Sequence, residues 1–130
     1  MFTCSSTIKG KPPRLPFARI ANYILGEKYS LGLVLCGSTL SRRLNETYRG
    51  KAKPANVLSF PLSDTEGEIF IDIRRARQEA RHFDRNENDF IIFLFIHGLL
   101  HLKGLAHSSK MEKLEKKIEK KFTPRPKKRR

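Results

Sequence analysis

Three of the chain's four histidines lie within eleven residues, in the segment HGLLHLKGLAH that begins at His97. His97 and His101 are four residues apart, so on a helix they lie about 6 Å apart along the axis and about 40° apart around it. Gly104 follows where such a helix would end, and a turn there can bring His107 back to the same point. The spacing H-x-x-x-H-x-x-G-x-x-H is that of the metzincin zinc site, in which three neutral imidazoles bind the metal and one position stays open for water.

A metal ion is the simplest partner for three converging imidazoles, because a buried imidazole without a hydrogen-bond partner carries a desolvation cost. Imidazole ligands and an open tetrahedral pattern favour zinc, although nickel or cobalt could also bind. The fourth histidine, His82, lies on a charged segment and is predicted to be a surface residue. We therefore predict one Zn²⁺ ion bound by His97, His101 and His107.

The residue after His97 distinguishes this segment from the metallopeptidase motif. In H-E-x-x-H the glutamate is the general base, and Gly98 stands at that position here. A metal held by three histidines still lowers the pKa of its water to near 7 and polarises an oxygen. On a strongly basic protein these properties favour hydrolysis of a phosphodiester over hydrolysis of a peptide bond.

The charge of the chain favours a polyanionic partner. Its 130 residues include 27 Lys and Arg against 13 Asp and Glu, a net charge of +14, and nucleic acid is the commonest partner for such a surplus. Eleven of the basic residues lie in residues 110–130. This segment either binds phosphates, in which case binding weakens steeply with salt, or is a solvated helix and tail that only aid solubility.

Length and composition predict one globular domain over residues 1–123, followed by a basic, disordered tail over residues 124–130. The first residues lack the apolar core of a secretory signal, and the most apolar helix is too short to cross a bilayer. A cytoplasmic protein without a membrane partner is therefore expected. In that compartment Cys4 and Cys36 should be free thiols.

The elements that would position the histidines follow from hydrophobic periodicity and turn residues. Helices are predicted over residues 15–25, 38–48, 74–83, 90–103 and 109–123, and strands over residues 31–36, 55–62 and 68–73. The predicted helix starts are an N-cap at Ser38, an N-cap at Asp89 and a capping box of Ser109 with Glu112. Several side chains are predicted to face inward, namely Leu40, Leu44, Ile73, Ala76, Ala80, Phe83, Met111, Leu114, Ile118 and Phe122. This order predicts an α+β fold, a small mixed β-sheet packed with helices, whose central helix, residues 90–103, carries the metzincin-like metal ligands.

Three blocks of the sequence resemble one known family. HGLLHLKGLAH is similar to the H-G-x-L-H-L-x-G-x-D-H signature of the YbeY family of metal-dependent rRNA maturation endoribonucleases. LNETYRGKAKPANVLSFPL resembles that family's L-N-x-x-Y-R-x-K-D-x-P-T-[DN]-V-L-S-F-P block, and GEIFI resembles the G-[DE]-I-x-I segment that follows it. The blocks stand in the family's order, and the similarity extends from about residue 30 to residue 118.

The resemblance implies cleavage of single-stranded RNA and maturation of small-subunit (16S) rRNA at its 3′ end, with a role in ribosome quality control. It implies that His97, His101 and His107 are the zinc ligands, with His97 also catalytic, and that Arg49 contacts substrate near the metal. An Arg guanidinium can bind a phosphate bidentately and stabilise charge in the transition state. Asn56 and Ser59 are secondary candidates for orienting the site. The expected partners are rRNA precursors and the small subunit, with a small-subunit ribosomal protein and a ribosome-assembly GTPase as further candidates.

Two departures from the family pattern leave the general base open. The acidic residue before the third histidine is Ala106, and K-D-x-P-T is replaced by K-A-K-P-A, with Ala52 and Ala55. The general base could be metal-bound hydroxide, the 2′-OH of the RNA, or a carboxylate such as Glu68 or Asp72. Two other functions remain as alternatives, a ribosome-associated RNA-binding factor with a structural metal and, less favoured, a metallopeptidase.

Overall fold

The computed structural model describes residues 1–123, so the predicted disordered tail over 124–130 lies outside the described residues. Four strands and five helices follow in the order β1 (Phe2–Ser6), α1 (Phe17–Leu25), β2 (Ser30–Cys36), α2 (Ser38–Arg49), β3 (Val57–Ser63), β4 (Glu66–Asp72), α3 (Ile73–His82), α4 (Glu87–Leu102) and α5 (Ser109–Phe122). All eight predicted elements are present, and β1 is an addition to them.

The four strands form one mixed sheet in the order β1-β2-β4-β3. β2 is parallel to both β1 and β4, whereas β3 is antiparallel to β4. The predicted α+β class with a small mixed sheet is therefore confirmed. β1 escaped prediction because its sequence, FTCSS, has almost no apolar alternation, and its strand conformation comes from pairing with β2, where Cys4 lies opposite Leu33.

The predicted central helix, α4, is buried on nearly every side. It packs against β3 and β4 on the sheet and against α1, α3 and α5. At Gly98 the helix approaches the sheet so closely that an added Cβ would lie 2.8 Å from Oγ of Ser59 and 3.2 Å from Cδ1 of Ile69. A larger side chain here would require the side chains of Ser59 and Ile69 to move, so the close packing of α4 on the sheet disfavours a glutamate at this position.

The N-terminus of α2 corrects two predictions. Gly37 occupies the N-cap position, and the Ser38 hydroxyl instead donates a hydrogen bond to the Asp72 carboxylate at 2.7 Å. The predicted apolar face is only half-buried, whereas the buried residues of this helix are polar, Ser41 and Asn45. Ser41 also donates to Asp72, at 2.8 Å. A buried carboxylate, rather than an apolar stripe, therefore holds the first turn of α2.

The starts of α4 and α5 also differ from prediction. α4 begins three residues earlier than expected, because the Asn86 side chain accepts a hydrogen bond from the N–H of Asp89 at 3.1 Å. α5 is capped by Ser108, whose hydroxyl accepts from the N–H of Met111 at 3.1 Å. The predicted capping box at Ser109 is therefore wrong, since the helix register is shifted by one residue.

The inward faces of α3 and α5 are predicted correctly except at one position in each helix. Phe83 was expected to face inward, but it follows the end of α3 and is 61% exposed. On α5 the predicted apolar residues are buried or half-buried, yet a charged residue, Glu115, is buried among them. That carboxylate belongs to the site described below.

Two further findings concern the surface and the thiols. No helix within residues 1–123 combines the length and apolar character that a bilayer span requires. The two cysteines are free thiols, as predicted, with Cys4 exposed and Cys36 buried.

Candidate active site

The last two turns of α4 and the loop after it bring the three predicted histidines together. The Nε2 atoms of His97 and His101 lie 3.0 Å apart. Gly104 has a φ of +103°, a left-handed conformation that favours glycine, and it reverses the chain after the helix. The ring of His107 then lies 4.8 Å from both other rings, and the three potential ligand nitrogens lie within 4.8 Å of one another. The group can hold a metal ion.

The hydrogen bonds of the other ring nitrogens suit two of the three residues, His97 and His101, to a metal. Nδ1 of His97 contacts the Glu115 carboxylate, and Nδ1 of His101 lies 3.0 Å from the carbonyl oxygen of Leu105. When each Nδ1–H donates to its oxygen, the lone pair of each Nε2 faces the common point. Ligand nitrogens about 2.0–2.1 Å from a tetrahedral ion lie roughly 3.3 Å apart, close to the observed 3.0 Å. The donor set therefore fits a transition-metal ion, and the His97–His101 pair has nearly the spacing that such an ion requires.

Glu115 is the functional residue that sequence reasoning missed. It lies on α5, is 5% exposed, and reaches His97 across the interface between α5 and α4. A signal was available, because Glu115 falls between Met111 and Ile118 on the inward face of its helix, where a carboxylate needs a partner. The carboxylate that contacts an imidazole of the cluster therefore comes from α5, whereas the residue directly before His107 is the exposed Ala106.

The environment of the cluster favours the neutral form of His101 and leaves one side of the cluster open to solvent. Burial lowers the pKa of His101, and the neighbouring His97 acts in the same direction. A neutral imidazole is the form that binds a metal. His97 and His101 are half-buried whereas His107 is exposed, so an ion bound here is accessible from solvent, which is typical of catalytic rather than structural sites.

Arg49 lies in the same cavity as the histidines. The cavity has a volume of about 790 Å³, within the roughly 300–1,000 Å³ of ligand-binding clefts. Its lining comes from the end of α2, from β3 and the residue before it, from α4 and from the loop after α4, namely Tyr48, Arg49, Asn56, Val57, Leu58, Ser59, Phe60, Phe93, Leu94, His97, His101 and His107. The structure therefore brings Arg49 into one cavity with the histidines, although Arg49 and His97 are 48 residues apart in the sequence.

None of the described residues that line this cavity is Asp or Glu. Asp72, a candidate general base, is fully buried elsewhere and accepts hydrogen bonds from Ser38, Ser41 and the N–H of Arg75. Glu68, the other candidate, lines a separate depression on the surface. Both carboxylates therefore lie away from the histidines.

The two secondary candidates line the cavity and connect its walls. Ser59 donates a hydrogen bond to the carbonyl oxygen of Gly98 at 3.1 Å, which ties β3 to α4 beside His97. Asn56 donates to the Glu79 carboxylate on α3 at 2.8 Å. In this structure both residues hold elements in place around the site.

Comparisons with known proteins find relatives of one family. A family model described as "Endoribonuclease YbeY" matches residues 17–123. The chain is 36% identical over 108 residues to an endoribonuclease YbeY from Neorickettsia sennetsu, covering 75% of this chain and 76% of the relative. It is 37% identical over 102 residues to an endoribonuclease YbeY from Allorhizobium ampelinum, covering 68% and 61%. The chain thus spans about three-fifths to three-quarters of the length of these curated relatives.

A solved structure shares the fold. The solution structure of a Thermotoga maritima protein superposes with a TM-score of 0.69 at 26% sequence identity, covering 94% of this chain and 89% of that one. The same arrangement of strands and helices is therefore found in a protein with largely different side chains.

Proposed function

The chain belongs to the family of YbeY endoribonucleases, hydrolases that act on RNA, and on that premise we propose that it cleaves single-stranded RNA with a zinc ion held by His97, His101 and His107. The observation that carries the proposal is one cavity that contains three converging imidazoles and a guanidinium. The charge of +14 suits a phosphate backbone. Within the cell, the proposed substrate is a small-subunit (16S) rRNA precursor cleaved at its 3′ end in the cytoplasm.

The side chains divide the work of phosphodiester cleavage. When bound, zinc supplies Lewis acidity and lowers the pKa of water toward neutrality. Glu115 holds the ring of His97 and the Leu105 carbonyl holds that of His101, so that both Nε2 atoms keep their direction. Arg49 binds the scissile phosphate and stabilises the negative charge that grows in the transition state.

The lining also bears on proton transfer. No Asp or Glu is among the described residues that line the cavity, so none of these lining side chains is a carboxylate base for the attacking oxygen. The nucleophile is either a water molecule or the 2′-OH of the RNA. Cleavage of a DNA strand of the same sequence would show that the 2′-OH is dispensable.

The openness of the site favours a catalytic metal over a purely structural one. A structural zinc has four protein ligands and no access to solvent, whereas here three imidazoles converge and one of them is exposed. We propose residues 1–123 as the catalytic unit and rRNA precursors as its partner, while a ribosomal protein and an assembly GTPase remain candidates for directing it to the subunit.

The test is chelator-sensitive cleavage of a 3′-extended small-subunit rRNA fragment by the full chain. Zinc-loaded protein should cleave it, and His101→Ala should abolish both zinc binding and cleavage. Arg49→Ala should retain zinc but cleave about 100-fold more slowly, since loss of one donor to the transition state costs on the order of 10²–10³ in rate. Arg43→Ala, an exposed change on the same helix, is the matched control. Equal cleavage by all variants, or by the chelated protein, would refute the proposal.

A further inference from the structure

An exposed aromatic pair lies in the cavity beside Arg49. Tyr48, the preceding residue on α2, is 66% exposed although its ring centroid lies only 5.2 Å from that of Phe60 on β3. Phe60 is supported in turn by Phe70 on β4, at 5.8 Å between ring centroids. A tyrosine ring held against a strand has little freedom to lose on binding, so it offers a fixed, flat, apolar surface to a ligand.

The position of this pair relates it to the histidines and to the guanidinium. Tyr48 and Phe60 line the same cavity as the three histidines and Arg49. Consecutive residues on a helix point about 100° apart, so Tyr48 and Arg49 are placed to contact neighbouring groups of one ligand rather than the same group. Phe93, an aromatic residue of the cavity on α4, already has the Arg85 guanidinium 5.2 Å from its ring centroid. Tyr48 therefore presents the open ring.

The chemistry of the two neighbours identifies the ligand. A guanidinium suits a phosphate and an exposed aromatic ring suits another flat ring, and a nucleotide carries both groups next to each other. The lack of any carboxylate among the described lining residues removes a source of repulsion for an anion. We propose that Tyr48 and Phe60 form a stacking subsite for one unpaired nucleobase, adjacent to the phosphate bound by Arg49; this rests on the proposed RNA-cleaving function.

The subsite would give the protein its preference for single strands. A base within a duplex has both faces covered by its neighbours, so it cannot stack on Tyr48 without being extruded. Every base has a π-face, so the subsite should tolerate any base while requiring that one be present. Selection by strandedness would then arise at the aromatic pair, and cleavage chemistry would arise at the metal and Arg49.

The test measures binding separately from cleavage. Equilibrium binding of a single-stranded RNA oligonucleotide to the full chain is measured by fluorescence anisotropy after chelation, with folding checked by circular dichroism, and steady-state kinetics are measured on the zinc-loaded chain. Tyr48→Ala should weaken binding and raise KM by about 5- to 150-fold, which corresponds to 1–3 kcal/mol per stacked base, with kcat little changed. Tyr48→Phe should bind as the wild type does. Tyr23→Ala, a change of a similarly exposed tyrosine outside the cavity, is the matched control.

A scan of the oligonucleotide with one abasic nucleotide at each position locates the stacked base. At one position the abasic change should weaken wild-type binding by the same factor as Tyr48→Ala, and it should add nothing in that variant. The subsite would be overturned by unchanged RNA binding in Tyr48→Ala, or by a loss of binding in Tyr23→Ala equal to that in Tyr48→Ala. It would also be overturned if the abasic change and Tyr48→Ala weakened binding additively at every position of the oligonucleotide. If the subsite is present but the zinc-loaded chain does not cleave, the proposed function fails while the subsite stands.

Discussion

Removal of the Glu115 carboxylate should weaken zinc binding without removing any ligand. Glu115 is 5% exposed and contacts Nδ1 of His97. In Glu115→Ala, Nδ1–H loses its acceptor, and the ring of a half-buried histidine becomes free to turn its Nε2 away from the other two. Loss of such a partner typically lowers metal affinity 10- to 100-fold, so we expect a cost of about 1.4–2.7 kcal/mol in binding free energy.

The conservative variant separates the charge from the hydrogen bond. In Glu115→Gln the amide oxygen can still accept from Nδ1–H, but a hydrogen bond to a charged oxygen is about twice as strong as one to a neutral oxygen. Glu115→Gln should therefore lose less affinity than Glu115→Ala. Glu112→Ala and Glu112→Gln are the matched controls, because Glu112 lies one turn earlier on α5 and is exposed.

The assay is competition for zinc between each variant and a chromogenic chelator at neutral pH, at a temperature where every variant is folded. Urea unfolding of the metal-free proteins gives the accompanying change in stability. If Glu115→Ala binds zinc as tightly as the wild type, or if Glu112→Ala loses as much, then the carboxylate does not orient His97. A fall in stability alone would assign Glu115 to packing only.

Two further predictions concern the core. Gly98→Ala should lower the free energy of unfolding by about 1–3 kcal/mol in urea titrations, because its Cβ would lie 2.8 Å from Oγ of Ser59. Gly32→Ala is the control and should have a much smaller effect, since the atom nearest to its added Cβ lies 3.6 Å away. Equal effects of the two changes would show that the approach of α4 to the sheet is not tight. Burial, together with the negative charge of Asp72, raises the pKa of Cys36 to about 12. At pH 8 an alkylating reagent should therefore modify only Cys4 in the folded protein and both thiols in denaturant. Rapid modification of Cys36 in the folded chain would contradict its burial.

The elements with strong hydrophobic patterns were predicted from the sequence, but the residues at which the helices begin and end were not. The buried helix α4 and strands β2, β3 and β4 were predicted because each contains a run of apolar residues that must be buried in the core. The predicted N-caps of α4 and α5 lie one to three residues from the observed ones, because Ser108, Ser109, Asn86 and Asp89 are all acceptable N-caps. The choice among them depends on the register in which each helix packs, which adjacent residues do not reveal. Phe83 was misplaced for the same reason, since α3 ends one residue before it.

The sequence by itself determined that three imidazoles could meet, because an i, i+4 pair and a glycine turn are local geometry that the chain carries wherever it folds. Family resemblance pointed to Arg49. Only the tertiary structure placed Arg49 and Tyr48 in the cavity of the histidines, and only it revealed the contact between Glu115 and His97. These placements depend on how α2, α4 and α5 pack around the sheet, so no spacing along the chain encodes them.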